Sequence, residues 1–105
     1  MYCRKKCNQM LDNLGFKERY KGTEYIRAGV AMVCAQREAS MTKDIYPALA
    51  RMADTTPASI ERSMRTALRA AQDSPVWDEE WRRLGGWDFP TNNEVLRRLA
   101  REMDD

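Results

Sequence analysis

The stretch Asp54-Thr55-Thr56-Pro57-Ala58-Ser59-Ile60-Glu61-Arg62-Ser63-Met64-Arg65-Thr66-Ala67-Leu68-Arg69-Ala70-Ala71-Gln72 decides how this chain folds. Thr56 followed by Pro57 is a helix start: the hydroxyl caps orphan amides, and Pro has no N–H to leave unsatisfied at the first helical position. Good helix formers then run on, which predicts a helix over 57–72. At ~100° per residue, Ile60, Met64, Ala67, Leu68 and Ala71 gather on one side, while Arg62, Arg65 and Arg69 fall within a ~60° arc on the other. Ser59, Glu61 and Thr66 flank that arc.

The same reading extends outward in both directions. Upstream, a segment over 42–53 reads as a short helix whose regular part starts close to Pro47, with Ile45, Leu49 and Met52 or Ala53 pointing inward. Asp54 and Thr55 make a tight turn between the two helices. Further upstream, a helix over 23–37 carries the broad apolar face Tyr25, Ile26, Gly29, Val30, Val33 and Cys34, which places it centrally. Gly29 costs helix stability unless a neighbour packs closely there. A first helix over 2–14 stops at Gly15. Downstream, Ser74-Pro75 opens a short helix in which Trp77, Trp81 and Leu84 share a face until Gly85-Gly86. Thr91-Asn92-Asn93-Glu94 is a capping box for a last helix with the inner stripe Val95, Leu96, Leu99 and Met103.

The expected architecture is therefore all-α: one domain of six helices in which the third and fourth form a helix-turn-helix. Its 105 residues, 43% of them apolar, allow one modest core. Positions 1–10 read as an N-terminal extension that starts the first helix, and 11–105 as the domain proper. Net charge is only +2, so any attraction for a polyanion must come from where the charge sits. No apolar run approaches the ~18 residues needed to cross a membrane, and no secretory signal is present. Three cysteines without a signal peptide point to reduced thiols and a cytoplasmic protein.

Chemistry narrows the function further. The sequence has no His for acid–base work near neutral pH, no phosphate-cradling Gly-rich loop and no nucleophile motif, so it does not read as an enzyme and implies no cofactor. Cys3 and Cys7 lie four apart, but the second Cys or His pair of a zinc site is missing. What stands out is the outer face of the helix over 57–72. A helix that reads a DNA major groove needs long donors for guanine edges and phosphates, with short polar groups where backbones come close. Arg62 and Arg65 fit base edges or phosphates, Glu61 fits the exocyclic amine of cytosine, and Arg69 and Lys43 fit the DNA backbone. Glu61 is equally placed to pair with Arg65 one turn on.

These residues also carry a resemblance. Met41-Thr42-Lys43-Asp44-Ile45-Tyr46-Pro47, the Thr55-Thr56 turn and Ile60-Glu61-Arg62-Ser63-Met64-Arg65 resemble the C-terminal effector domain of the sporulation stage-zero master regulator of endospore-forming bacteria. Leu14-Gly15, Lys21-Gly22, Tyr25-Ile26-Arg27, Met32-Val33 and Pro90-Thr91-Asn92 with Glu94 match in order, so the resemblance covers roughly 11–103. It implies a six-helix fold and sequence-specific binding of double-stranded DNA by the helix-turn-helix in transcription regulation, often by a pair of domains on tandem sites. It further implies a contact with the sigma subunit of RNA polymerase near the fifth helix. Glu61, Arg62 and Arg65 match family positions that meet DNA. Ser59 and Thr66 stand where the family regulator carries larger basic or aromatic-ring residues, which bears on the DNA box preferred. That regulator has a receiver domain ahead of this one, and the sequence begins about ten residues before the resemblance does.

A rival reading keeps the fold and drops the DNA: a protein-interaction module acting on a related regulator or on RNA polymerase. Near-neutral charge, the Trp residues and Asp73 on the Arg face favour it. Three Arg opposite the core stripe favour DNA.

Overall fold

In the computed structural model, residues 1–103 are described, so the last two positions of the expected domain, 104 and 105, lie outside the described residues. Six α-helices form around one core: α1 (Arg4–Leu14), α2 (Lys21–Ala35), α3 (Tyr46–Ala53), α4 (Pro57–Gln72), α5 (Trp77–Arg83) and α6 (Asn92–Met103). Among the described residues there is no strand, and no helix is long and apolar enough to cross a membrane.

Helix α2 is the hub, packed chiefly on α4 and α6, with α1 laid beside it. Ile26, Val30 and Val33 are fully enclosed, as the broad apolar face requires. Two glycines seven residues apart set how near its neighbours come. A Cβ placed on Gly29 would lie 2.5 Å from Leu96 Cδ2 of α6, and one on Gly22 would lie 1.9 Å from the Ser63 carbonyl oxygen of α4. Gly29 thus has the close neighbour that its sequence position asked for. At Gly22 the obstacle is backbone, which cannot rotate away.

Between α2 and α3, Met41–Ile45 form a single π-helical turn. Ser40 caps it: its Oγ accepts from the Lys43 amide at 3.2 Å, and the Asp44 carboxylate accepts from the Ser40 amide at 2.7 Å. Pro47 then occupies the first turn of α3, where its missing N–H costs least. Tyr46, Leu49 and Ala50 are the buried side of α3. Met52 is 77% exposed and Ala53 is exposed too, contrary to the helical-wheel expectation, because the last turn of α3 runs out beyond the core. Asp54 closes that helix in a left-handed conformation (φ 54°, ψ 52°).

Helix α4 begins and ends where its sequence places it, with Thr56 Oγ1 accepting from the Ser59 amide at 3.1 Å. The capping box at α6 forms in both directions, with Glu94 N donating to Thr91 Oγ1 and Thr91 N to Glu94 Oε1. Phe16, Trp77 and Trp81 make an aromatic column, stacked at 5.3 Å between the two Trp rings and edge-on at 6.1 Å to Phe16. Trp87, by contrast, is 79% exposed. The three cysteines form no disulfide.

Candidate nucleic-acid interface

The exposed ridge of α4 is the candidate site. Ile60, Met64, Ala67, Leu68 and Ala71 are buried against the bundle. Arg62, Arg65, Thr66 and Arg69 are exposed on the opposite side, with Ser59 and Glu61 half-buried at the edges. Amphipathicity alone produces this split: one stripe docks the helix, and the rest has nowhere to go but outward.

The ridge divides two shallow grooves. Glu61, Arg65 and Arg69 line the first, across from Thr42 of the π turn, Phe89 of the loop leading into α6 and Asn93 in the first turn of α6. Arg62 and Thr66 line the second with Ser63, across from Arg19 and Lys21. Ser59 and Lys43 line neither. Lys43 is exposed on the π turn, where its backbone amide is held by Ser40.

The basic groups of the ridge differ in how far they are committed. Arg65 Nη1 donates to Glu61 Oε1 at 3.0 Å, the intrahelical pair that the four-residue spacing allows. Both side chains remain close to half exposed, so the link is worth only a few tenths of a kcal/mol and opens easily. Arg62, Arg69 and Lys43 have no side-chain hydrogen bond or ion pair among the described residues. Their guanidinium and ammonium groups are solvated and available.

The ridge is fixed from behind. Asn92, the first residue of α6 and 92% buried, donates from Nδ2 to Tyr46 Oη of α3 and to the Glu61 carbonyl oxygen of α4, both at 3.2 Å. One amide thereby ties three helices together beneath the exposed face. Burial pushes the Tyr46 hydroxyl above its usual titration range, against the opposing pull of the Asn92 bond, so the clasp stays neutral at physiological pH.

The residues that sequence reasoning missed are those brought in from elsewhere in the chain. Arg19 and Lys21 stand some forty positions before Arg62 and reach it only because α2 crosses α4 at Gly22. Phe89, 86% exposed, and Asn93 arrive in the same way from the other side. The one available signal was Gly22, a glycine in the first turn of a helix, which can mark a close crossing as well as a chain break.

With this geometry in place, comparison with known families is decisive. The family described as "Sporulation initiation factor Spo0A C terminal" matches residues 7–103. The chain belongs to this family. Membership makes it a DNA-binding regulatory domain of the response-regulator effector type, tied to sporulation and transcription regulation, and the family is not one of enzymes. It also accounts for the six-helix, strandless architecture of the described residues.

Proposed function

We propose that this protein binds double-stranded DNA sequence-specifically in the cytoplasm, by laying α4 in the major groove with α3 crossing behind it as the first helix of a helix-turn-helix. The observation that carries the reading is the ridge: available guanidinium groups stand directly opposite the stripe that docks the helix. Arg62 reads a base edge or anchors to phosphate, and Arg65 does the same once it leaves Glu61. Glu61 then turns to the exocyclic amine of a cytosine. Arg69 and Lys43 meet the DNA backbone, while Ser59 and Thr66 let it come close.

Two finer features belong to the same proposal. Tandem boxes are occupied by two copies of the domain, and a sigma subunit of RNA polymerase docks near α5. The rival reading, a module that contacts protein only, has its own observation in the exposed Trp87 and Phe89 rings.

Selection of bound duplexes from a random pool, followed by the Arg62→Ala/Arg65→Ala double variant, separates the two. Arg62→Ala is expected to cost ~1–3 kcal/mol at one base position if the contact is bidentate to guanine, and to weaken all duplexes equally if it is a phosphate contact. No enrichment of any sequence at low salt, or affinity that ignores salt, defeats the proposal in favour of the protein-only module.

A further inference from the structure

The second groove beside α4 has a composition that the ridge alone does not explain. Arg19 and Lys21 approach from the turn and first residue of α2, Arg62 from α4, with Ser63 and Thr66 between them. No acidic residue lines the groove. Neither Arg19 nor Lys21 has an ion-pair partner among the described residues, and the Arg19 guanidinium lies over the Tyr20 ring at 5.2 Å. Three like charges facing one groove repel one another unless an anion enters.

The groove is also held with unusual firmness for a surface turn. Thr23 Oγ1 donates to the Lys17 carbonyl oxygen at 2.7 Å, the Thr23 amide bonds to Tyr20 at 3.0 Å, and buried Arg27 grips Glu18 at 2.6 Å. Gly22 seats this turn directly on the Ser63 carbonyl. A turn pinned at both ends keeps its backbone beside α4, with the Arg19 and Lys21 side chains within reach of the groove.

We infer that Arg19 and Lys21 form a phosphate-contacting wall for the duplex that α4 reads, so that one DNA strand is held on the Arg62 side of the ridge by residues outside the helix-turn-helix. This rests on the DNA-binding reading of α4. A helix seated in a major groove is flanked by two sugar–phosphate backbones, and contacts to them position the protein without carrying sequence information. The groove offers cations and short hydroxyls, which suits phosphate oxygens. Its one aromatic ring, Tyr20, lies under the Arg19 guanidinium, so there is no row of open rings on which the successive bases of a splayed single strand could stack.

The test compares the full chain with Arg19→Ala, Lys21→Ala and the double variant on one selected duplex and one scrambled duplex across a salt series. Lys5→Ala, at an exposed position of α1 that does not line this groove, serves as the control. Each phosphate deprived of its protein cation lowers the slope of log affinity against log salt by ~0.9. For the double variant, the fall in affinity between about 50 and about 200 mM salt therefore shrinks by about twelvefold. The selected and scrambled duplexes weaken by the same factor, and Lys5→Ala leaves the slope as it was. Wild-type binding with an ordinary salt slope that the double variant retains would overturn the wall and leave the reading of α4 standing. Wild-type protein that binds no duplex would sink both. Weakening of the selected duplex only would make these residues base readers and refute the phosphate assignment.

Discussion

Arg27 and Arg62 carry the same side chain to opposite ends. Arg27 has a side chain only 4% exposed, and each of its nitrogens is engaged: Nε with Asn8 at 2.5 Å, Nη1 with Glu24 at 2.7 Å and Nη2 with Glu18 at 2.6 Å. Burial opposes its charge, and the two carboxylates more than offset that opposition, so it stays protonated. Arg62 is exposed and has no such partner among the described residues. Arg65, loosely held by Glu61, lies between the two extremes, and Arg97 joins Arg27 by donating to the Arg37 and Ala39 carbonyl oxygens. The lesson is that counting arginines on a wheel does not locate function. What locates it is which guanidinium groups the fold leaves unspent.

That contrast can be broken most forcefully at Arg27. Arg27→Ala removes three charge-assisted bonds and a buried stem. The acids left behind are 71% and 58% exposed and can turn to water, which puts the cost near the lower end for a broken buried pair, about 3 kcal/mol. Urea unfolding should show it, and a loss below about 1 kcal/mol would mean that the cluster is ornamental. Asn92→Ala should cost about 2 kcal/mol, since it leaves the clasp to Tyr46 and Glu61 unmade in a buried setting, and DNA affinity should fall by no less than stability predicts. Arg62→Ala should change stability by less than about 0.5 kcal/mol in the same assay, because it touches nothing the fold depends on. A larger loss would show Arg62 to be structural after all. Glu61→Ala should be comparably small, a few tenths of a kcal/mol.

The smallest effect is a pH dependence at α5. The Arg83 guanidinium bonded to Glu80 holds that carboxyl below its usual value of 4.5, with burial pulling the other way. The stabilisation is therefore complete above pH 4.5 and is lost as pH falls through the lower, folded value. Arg83→Gln should flatten this part of the acid limb of a stability-against-pH curve while leaving the neutral region almost unchanged.

Much of the fold was legible because it is local. Thr56-Pro57 and the stripe from Ile60 to Ala71 specify α4 within sixteen residues, and its bounds agree with the structure residue for residue. The capping box at Thr91 and Glu94 is equally self-contained. Legibility failed where tertiary contact decides. Helix α2 starts at Lys21, two positions before the expected 23, because Gly22 serves as a packing surface and not as a break. The wheel misplaced Met52 because it extends a stripe without knowing where the neighbouring helix ends. The π turn before α3 was invisible to a 3.6-residue period. For the site, the ridge itself could be read from one helix, but Arg19, Lys21 and Phe89 join it only through the folded chain, and no periodicity connects them to Arg62.

At position 22 only a hydrogen atom fits between two backbones. The angle between the charged turn and the helix below it is therefore set before any partner arrives, so that only side chains, and not the backbone, are left to order at the moment of encounter, which spares part of the entropy that a pliant surface would lose. The same rigidity has a cost in tolerance. If the proposed duplex is what this side of the molecule receives, a mismatched width has no backbone slack to be absorbed by, and selection there starts with the calibre of the polymer, ahead of any hydrogen bond to its letters.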